Sequence, residues 1–160
     1  MKVIIKYLRL ILPHLGIALI ILAMILGHFY NWRGKAVLLT TDKTNVFITQ
    51  KSEIKVVPYA LTLSCMNVTY YETGKPKSYN AVINVEENND TKTISLCVNS
   101  PCKMDFGQDL YLVSLKPENS EHCVVELVHD PFQGLFLAGI IFVMAGLVMM
   151  GCFSLARDGG

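Results

Sequence analysis

Charge is missing from two long stretches of this 160-residue chain. No Asp, Glu, Lys or Arg occurs between Arg9 and Arg33, nor between Asp130 and Arg157. Each gap exceeds the ~20 residues that cross a ~30 Å hydrocarbon core. Chemical motifs are missing as well. There is no Gly-x4-Gly-Lys-Ser/Thr phosphate loop, since Gly74-Lys75 stands in a turn ahead of Pro76. No Gly-x-Ser-x-Gly elbow, Cys-x-x-Cys pair or Cys-x-x-Cys-His haem-attachment site occurs. These absences argue against a pump or an enzyme acting alone.

What is present is apolar at both ends and polar between. Hydrophobic residues make up 52% of the chain and charged residues 17%. The uncharged stretches read as transmembrane helices over residues 10–30 and 132–155. A cleaved signal peptide would have a shorter apolar run and an Ala-x-Ala site. Lys2, Lys6 and Arg9 crowd the short tail of residues 1–9, which the positive-inside rule places in the cytoplasm. The second span returns the tail of residues 156–160, with Arg157, to the same side. The segment 31–131 then faces outward. Between residues 33 and 130 it carries ten Lys/Arg against twelve Asp/Glu, a balance of −2 with no nucleic-acid surface. Tyr30 and Trp32 suit an interfacial anchor at the outer end of the first span.

The outward segment is punctuated by turn residues at Thr73-Gly74-Lys75-Pro76, Glu87-Asn88-Asn89-Asp90 and Lys116-Pro117-Glu118-Asn119-Ser120. Alternating runs lie between them. Tyr79, Ala81, Ile83 and Val85 share one face, as do Ile94, Leu96 and Val98. Leu61, Leu63 and Cys65 sit at odd positions and Val68 and Tyr70 at even ones, the phase switch of a β-bulge. Ala36–Thr41 and Asn45–Thr49 read as a hairpin, Leu110–Leu115 as a strand covered on both faces, and Cys123–Val128 as the last strand. The expected fold is therefore two transmembrane helices flanking a small all-β domain of about seven short strands, sandwich- or barrel-like.

Cys65, Cys97, Cys102 and Cys123 lie in this domain, an even number that an oxidising compartment allows to form two disulfides. Three pairings are open. The spacing of Cys97 and Cys102 is not that of a zinc ribbon.

Two histidines lie within the first apolar stretch. His14 is roughly 7 Å past Arg9 at 1.5 Å per residue, a depth at which polar side chains tend to mark a partner or a site. His28 follows fourteen residues on, about 40° away around the helix and about 21 Å along it. Ala18, Ile21 and Ile25 complete that stripe, while Gly16, Ala23 and Gly27 occupy the opposite face and would let another helix approach closely. A neutral imidazole inside a bundle is a good axial ligand for haem iron. Spacing alone favours a histidine bonded to a neighbouring helix, more so for His28 at the wet interface.

Four stretches in order resemble the ResB/CcsB-like family, a membrane component of system II cytochrome c maturation. They are Pro13-His14-Leu15-Gly16 with Tyr30-Asn31-Trp32-Arg33-Gly34; Pro58–Leu63 leading to Tyr70–Tyr79; Val98-Asn99-Ser100-Pro101 with Asp109-Leu110-Tyr111; and Val128-His129-Asp130-Pro131 entering a helix with Gly139 and Gly146. The resemblance implies a bacterial cell (inner) membrane subunit with its central domain facing the periplasm. It implies a CcsA-type multi-pass partner, apocytochrome c as client, and haem b shared with the partner. His14 falls at the family's haem-ligand position, whereas His28 matches none. Covalent attachment would belong to the partner. The chain departs from typical members in lacking two further N-terminal helices and a far larger outer domain. The competing expectation is a membrane-anchored β-domain that binds proteins and has no haem role.

Overall fold

The computed structural model describes residues 2–88, 90–105, 107–115 and 122–158. The chain divides into two compact units, one made of its two ends and one of residues 32–129.

The first unit is a pair of helices, α1 (Lys2–Tyr30) and α2 (Gln133–Asp158). Within them Tyr7–Tyr30 and Gln133–Gly151 are long and apolar enough to cross a membrane. Helix α1 already begins at Lys2, so the stretch read as a tail is helical and Pro13 lies inside the helix rather than in its first turn. The two helices meet through small residues. A methyl group on Gly16 would lie 2.6 Å from the Gly139 carbonyl oxygen, and one on Gly139 would lie 2.8 Å from the Gly16 carbonyl oxygen. Gly146 gives the Pro13 ring its room in the same way. Backbone thus packs on backbone, as small-residue contacts permit in an apolar medium that offers no hydrophobic drive. The contacts run in opposite order along the two helices, from Pro13–Gly146 through Gly16–Gly139 to the Tyr30 and Phe132 rings, 5.8 Å apart. The helices are therefore antiparallel.

The second unit is one antiparallel sheet of eight strands: β1 (Trp32–Leu39), β2 (Thr44–Thr49), β3 (Ile54–Tyr70), β4 (Pro76–Glu87), β5 (Asp90–Cys97), β6 (Cys102–Lys103), β7 (Gln108–Leu115) and β8 (His122–His129). Their order across the sheet is β5-β4-β3-β2-β1-β8-β7-β6. The sheet is open by hydrogen bonding, yet it curls until β5 lies beside β6 and β7. Curling lets one face close on itself as a core, with Leu38, Phe47, Leu61, Leu63, Ile83 and Leu127 essentially inaccessible. The period-2 alternation causes this: β1 and β8 bury every second residue.

Three local features differ from or refine the sequence expectation. The register of β3 shifts between Leu63 and Cys65, ahead of the odd-to-even switch that the sequence put after Cys65. Because the bulge precedes Cys65, that residue turns outward and is exposed instead of continuing the Leu61–Leu63 face. Strand β7 buries one face only. Leu110 and Leu112 are inside, but a second shift between Leu112 and Ser114 leaves Val113 44% exposed. Strand β6 was not anticipated, because two residues carry no periodicity. Of the three turns, the first is closed by Gly74 at φ 77°, donating to Tyr71 O at 2.9 Å. The second contains Asn88 at φ 48°, with Asn89 outside the described residues. The third, at residues 116–120, also lies outside them.

Candidate functional site

His14 is held by its own helix. Its ring Nδ1 lies 2.6 Å from the carbonyl oxygen of Leu10, one turn earlier. A carbonyl only accepts, so Nδ1 carries the proton and donates. When the ring is neutral, that bond leaves the lone pair on Nε2, the nitrogen with which an imidazole so held binds a metal. The residue is exposed on α1, together with Ile17, Ile21 and Ile25, each half accessible. Gly16, Ala23 and Gly27 are buried on the other side. Gly16 gives its space to α2, while Gly27 gives it to the side chain of Asn31. The separation of the two faces read from the sequence is therefore present. His14 points away from α2 and is exposed among the described residues.

His28 shares the exposed face and stacks edge-on with Phe29, ring centroids 5.3 Å apart. At about 1.5 Å per residue it stands ~21 Å from His14, too far for both to bind one iron. The two residues are not brought together.

In the sheet unit the four cysteines are free thiols: Cys65 exposed, Cys97 and Cys102 half-buried, Cys123 buried. Register separates most of the pairs. Cys65 stands opposite Val82, which stands opposite Ser95, whereas Cys97 stands opposite Asn80. Cys102 is opposite Leu110, while Cys123 is opposite Leu115. Both pairs are thus two strand spacings apart, about 9.6 Å, beyond the ~7 Å limit for a bridge. Cys65 and Cys123 have β2 and β1 between their strands. Only Cys97 and Cys102, at facing ends of β5 and β6, have no strand between them. Burial pushes the Cys123 thiol from 9.0 up to about 11.

A cleft of about 480 Å³ opens between the β4–β5 turn and the β6–β7 turn. Tyr59, Val85, Ile94 and Met104 form its apolar part, and Glu87, Asp90, Lys92, Lys103 and Asp105 its polar part. The Tyr59 hydroxyl donates to Gln108 Oε1 at 2.7 Å. Burial first, then the Asp105 and Glu87 carboxylates, hold that phenol protonated well above its usual range. The cleft is thus a polar recess with a fixed donor and, among the described residues, no nucleophile–base pair. Among the described residues, no group of three or more His, Cys, Asp and Glu is placed to hold a metal ion. Sequence reasoning passed over the Tyr59–Gln108 bond because it joins residues 49 apart in the chain.

Two apolar helices of membrane-crossing length, joined through one antiparallel β unit, define a membrane-anchored β-domain protein. The ResB-like family matches residues 5–125, about three quarters of the chain, and the chain belongs to that family of cytochrome c biogenesis proteins. The fold is similar to that of a solved cytochrome c heme lyase, CcmF, with a TM-score of 0.57 and 12% identity. The match covers 91% of this chain and 24% of that one, so the chain spans about a quarter of the length of this larger protein. A comparison with curated proteins finds no match.

Proposed function

We propose that this chain is a membrane subunit of a c-type cytochrome maturation complex, supporting the passage of haem across the membrane and its presentation to apocytochrome c. The observation that carries the reading is His14: its Nδ1 proton is engaged by Leu10 O, its Nε2 lone pair is free, and it faces away from α2. A side chain of that kind in hydrocarbon needs a partner. His14 would supply one imidazole to a haem, and a CcsA-type multi-pass partner would complete the site. Helix α2 braces α1 from behind through Gly16 and Gly139, which leaves the His14 face for the partner. The chain is not an enzyme by itself in this reading, and attachment chemistry belongs to the partner. The β unit faces the periplasm, by the distribution of Lys2, Lys6 and Arg9.

The test is spectroscopic. Purified alone, the chain binds no stoichiometric haem. Co-expressed and purified with a CcsA-type partner, it yields a low-spin, six-coordinate spectrum. The same spectrum from the chain alone would replace the shared site with another arrangement, such as two copies of His14.

A further inference from the structure

Strand β3 outruns its neighbour on one side. It pairs with β2 from Ile54 to Leu61 and with β4 from Ala60 to Tyr70. Between residue 62 and Tyr70, no strand pairs with its other side among the described residues. The end of β3 therefore has one bare edge, up to the turn at Gly74.

Two hydrogen bonds fix which backbone groups that edge presents. Tyr71 N–H donates to Lys75 O at 2.8 Å, and Val98 N–H donates to Tyr79 O at 3.4 Å. The first turns Tyr71 toward the β4 side. The second turns Tyr79 toward β5, so Asn80 and Ser78 turn toward β3, where Asn67 and Thr69 stand opposite them. Bonded and non-bonded pairs alternate along an antiparallel ladder. The N–H and C=O groups of Met66, Val68 and Tyr70 therefore point out of the bare edge.

Proteins usually blunt such an edge with charge or proline. The edge strand β5 carries Asp90 and Lys92 and lies beside β6 and β7. The end of β3 has no such guard. No Asp, Glu, Lys or Arg occurs between Lys55 and Glu72, and no Pro between Pro58 and Pro76. What an edge of this kind binds is another extended strand, whose backbone offers matching groups at matching intervals.

The sequence of the edge selects the strand. In a two-fold pair with its axis at Val68, that residue faces its own copy, Met66 faces Tyr70 of the second copy, and Asn67 faces Thr69 of the second copy. Free groups then meet free groups, and three pairs exchanging two bonds each give about six. The faces match as well. Met66, packed on the core, lies with half-buried Val68 and exposed Tyr70 on one side, and exposed Cys65, Asn67 and Thr69 lie on the other. Self-pairing also explains the missing charge. A charge in this stretch would come close to its own copy, and like charges across strands repel. A foreign strand imposes no such condition.

We infer that this chain forms a two-fold dimer in which residues 66–70 of β3 pair antiparallel with the same residues of a second copy, joining two sheets edge to edge. The inference is independent of the haem reading.

The test is cross-linking of the full chain in membranes, in a Cys152→Ser background that removes the thiol of α2. Val68→Cys sets a thiol opposite its own copy at the ~5.5 Å spacing of a bonded pair, within reach of a disulfide. A mild oxidant should convert it to a disulfide-linked dimer. The background chain is the register control. Its exposed Cys65 faces Tyr71 of the second copy, which puts the two Cys65 thiols ~20 Å apart, so it should stay monomeric. Amide exchange gives a second reading. The amides of Met66, Val68 and Tyr70 should be protected in the native chain, and Asn67→Lys, at an exposed position, should lower that protection severalfold. A Val68→Cys chain that cross-links no better than the control overturns the proposal. So does protection that the lysine leaves unmoved, or a cross-linked product whose mass shows another protein in place of the second copy.

Discussion

His14 and His28 share a face and a residue type, so depth is what separates their roles. In the proposed reading His14 lies within the apolar span, and its ring Nδ1 donates to the Leu10 carbonyl oxygen. His28 lies near the end of α1, beside Phe29. His14→Ala is expected to abolish haem retention and cytochrome maturation while the complex still assembles. Added imidazole should restore part of both by refilling the vacated position. His28→Ala should leave maturation near normal, measured by haem staining of the client cytochrome. Full haem and activity in His14→Ala would remove the ligand assignment. The cysteines permit a second contrast. Cys65 is exposed and should react readily with a maleimide, whereas Cys123, 1% exposed with its thiol raised to about 11, should react only after unfolding. Its titration also carries stability. The folded thiol holds its proton above the unfolded value of 9.0, so the contribution is complete below pH 9 and is lost as pH rises through about 11. Cys123→Ala should flatten that part of a denaturation-versus-pH curve. Tyr59, held protonated in the same way, adds a loss on the alkaline side that remains in the variant.

At the scale of elements, the helix pair depends on Gly16 and Gly139. An Ala at either position sets a methyl group against a backbone oxygen, which no rotamer change relieves. Overpacking of this kind costs roughly 1–3 kcal/mol. Gly16→Ala should therefore lower the thermal midpoint of the purified protein in detergent, while Gly134→Ala, with nothing within 4 Å of the added methyl, should not. A stable Gly16→Ala would mean that the helices separate at little cost. This contact was legible in the sequence, because Gly16, Ala23 and Gly27 recur at helical spacing on one side and His14 on the other. The bulge in β3 was legible for a similar reason, as a change of phase. Which rows of β1 and β2 face outward was not. Val37 alternates with Ala36 and Leu38, and Val46 and Ile48 flank Phe47, so both phases are apolar and period 2 cannot say which faces the core. Burial decides it, since Phe47 is enclosed and Ile48 is not. The cysteine register was hidden too, because it depends on which strands are neighbours.

For the whole molecule, the testable statement is topology. Both termini are expected in the cytoplasm, so protease added to spheroplasts should cut within residues 33–130 and spare an N-terminal tag. Cleavage of that tag would invert the orientation. The pairing of β1 with β8 bears on how such a molecule could have arisen and could be altered. The first and last residues of the β unit, Trp32 and His129, are cross-strand partners, and their aromatic rings lie 5.6 Å apart. The unit thus enters and leaves through one doorway and is inserted into a helical hairpin rather than strung between two separate anchors. An insert of that kind can be enlarged, trimmed or exchanged without moving the hairpin that carries it. Replacing residues 33–128 with a short Gly-Ser turn should leave a helix pair that still inserts and still resists alkaline extraction.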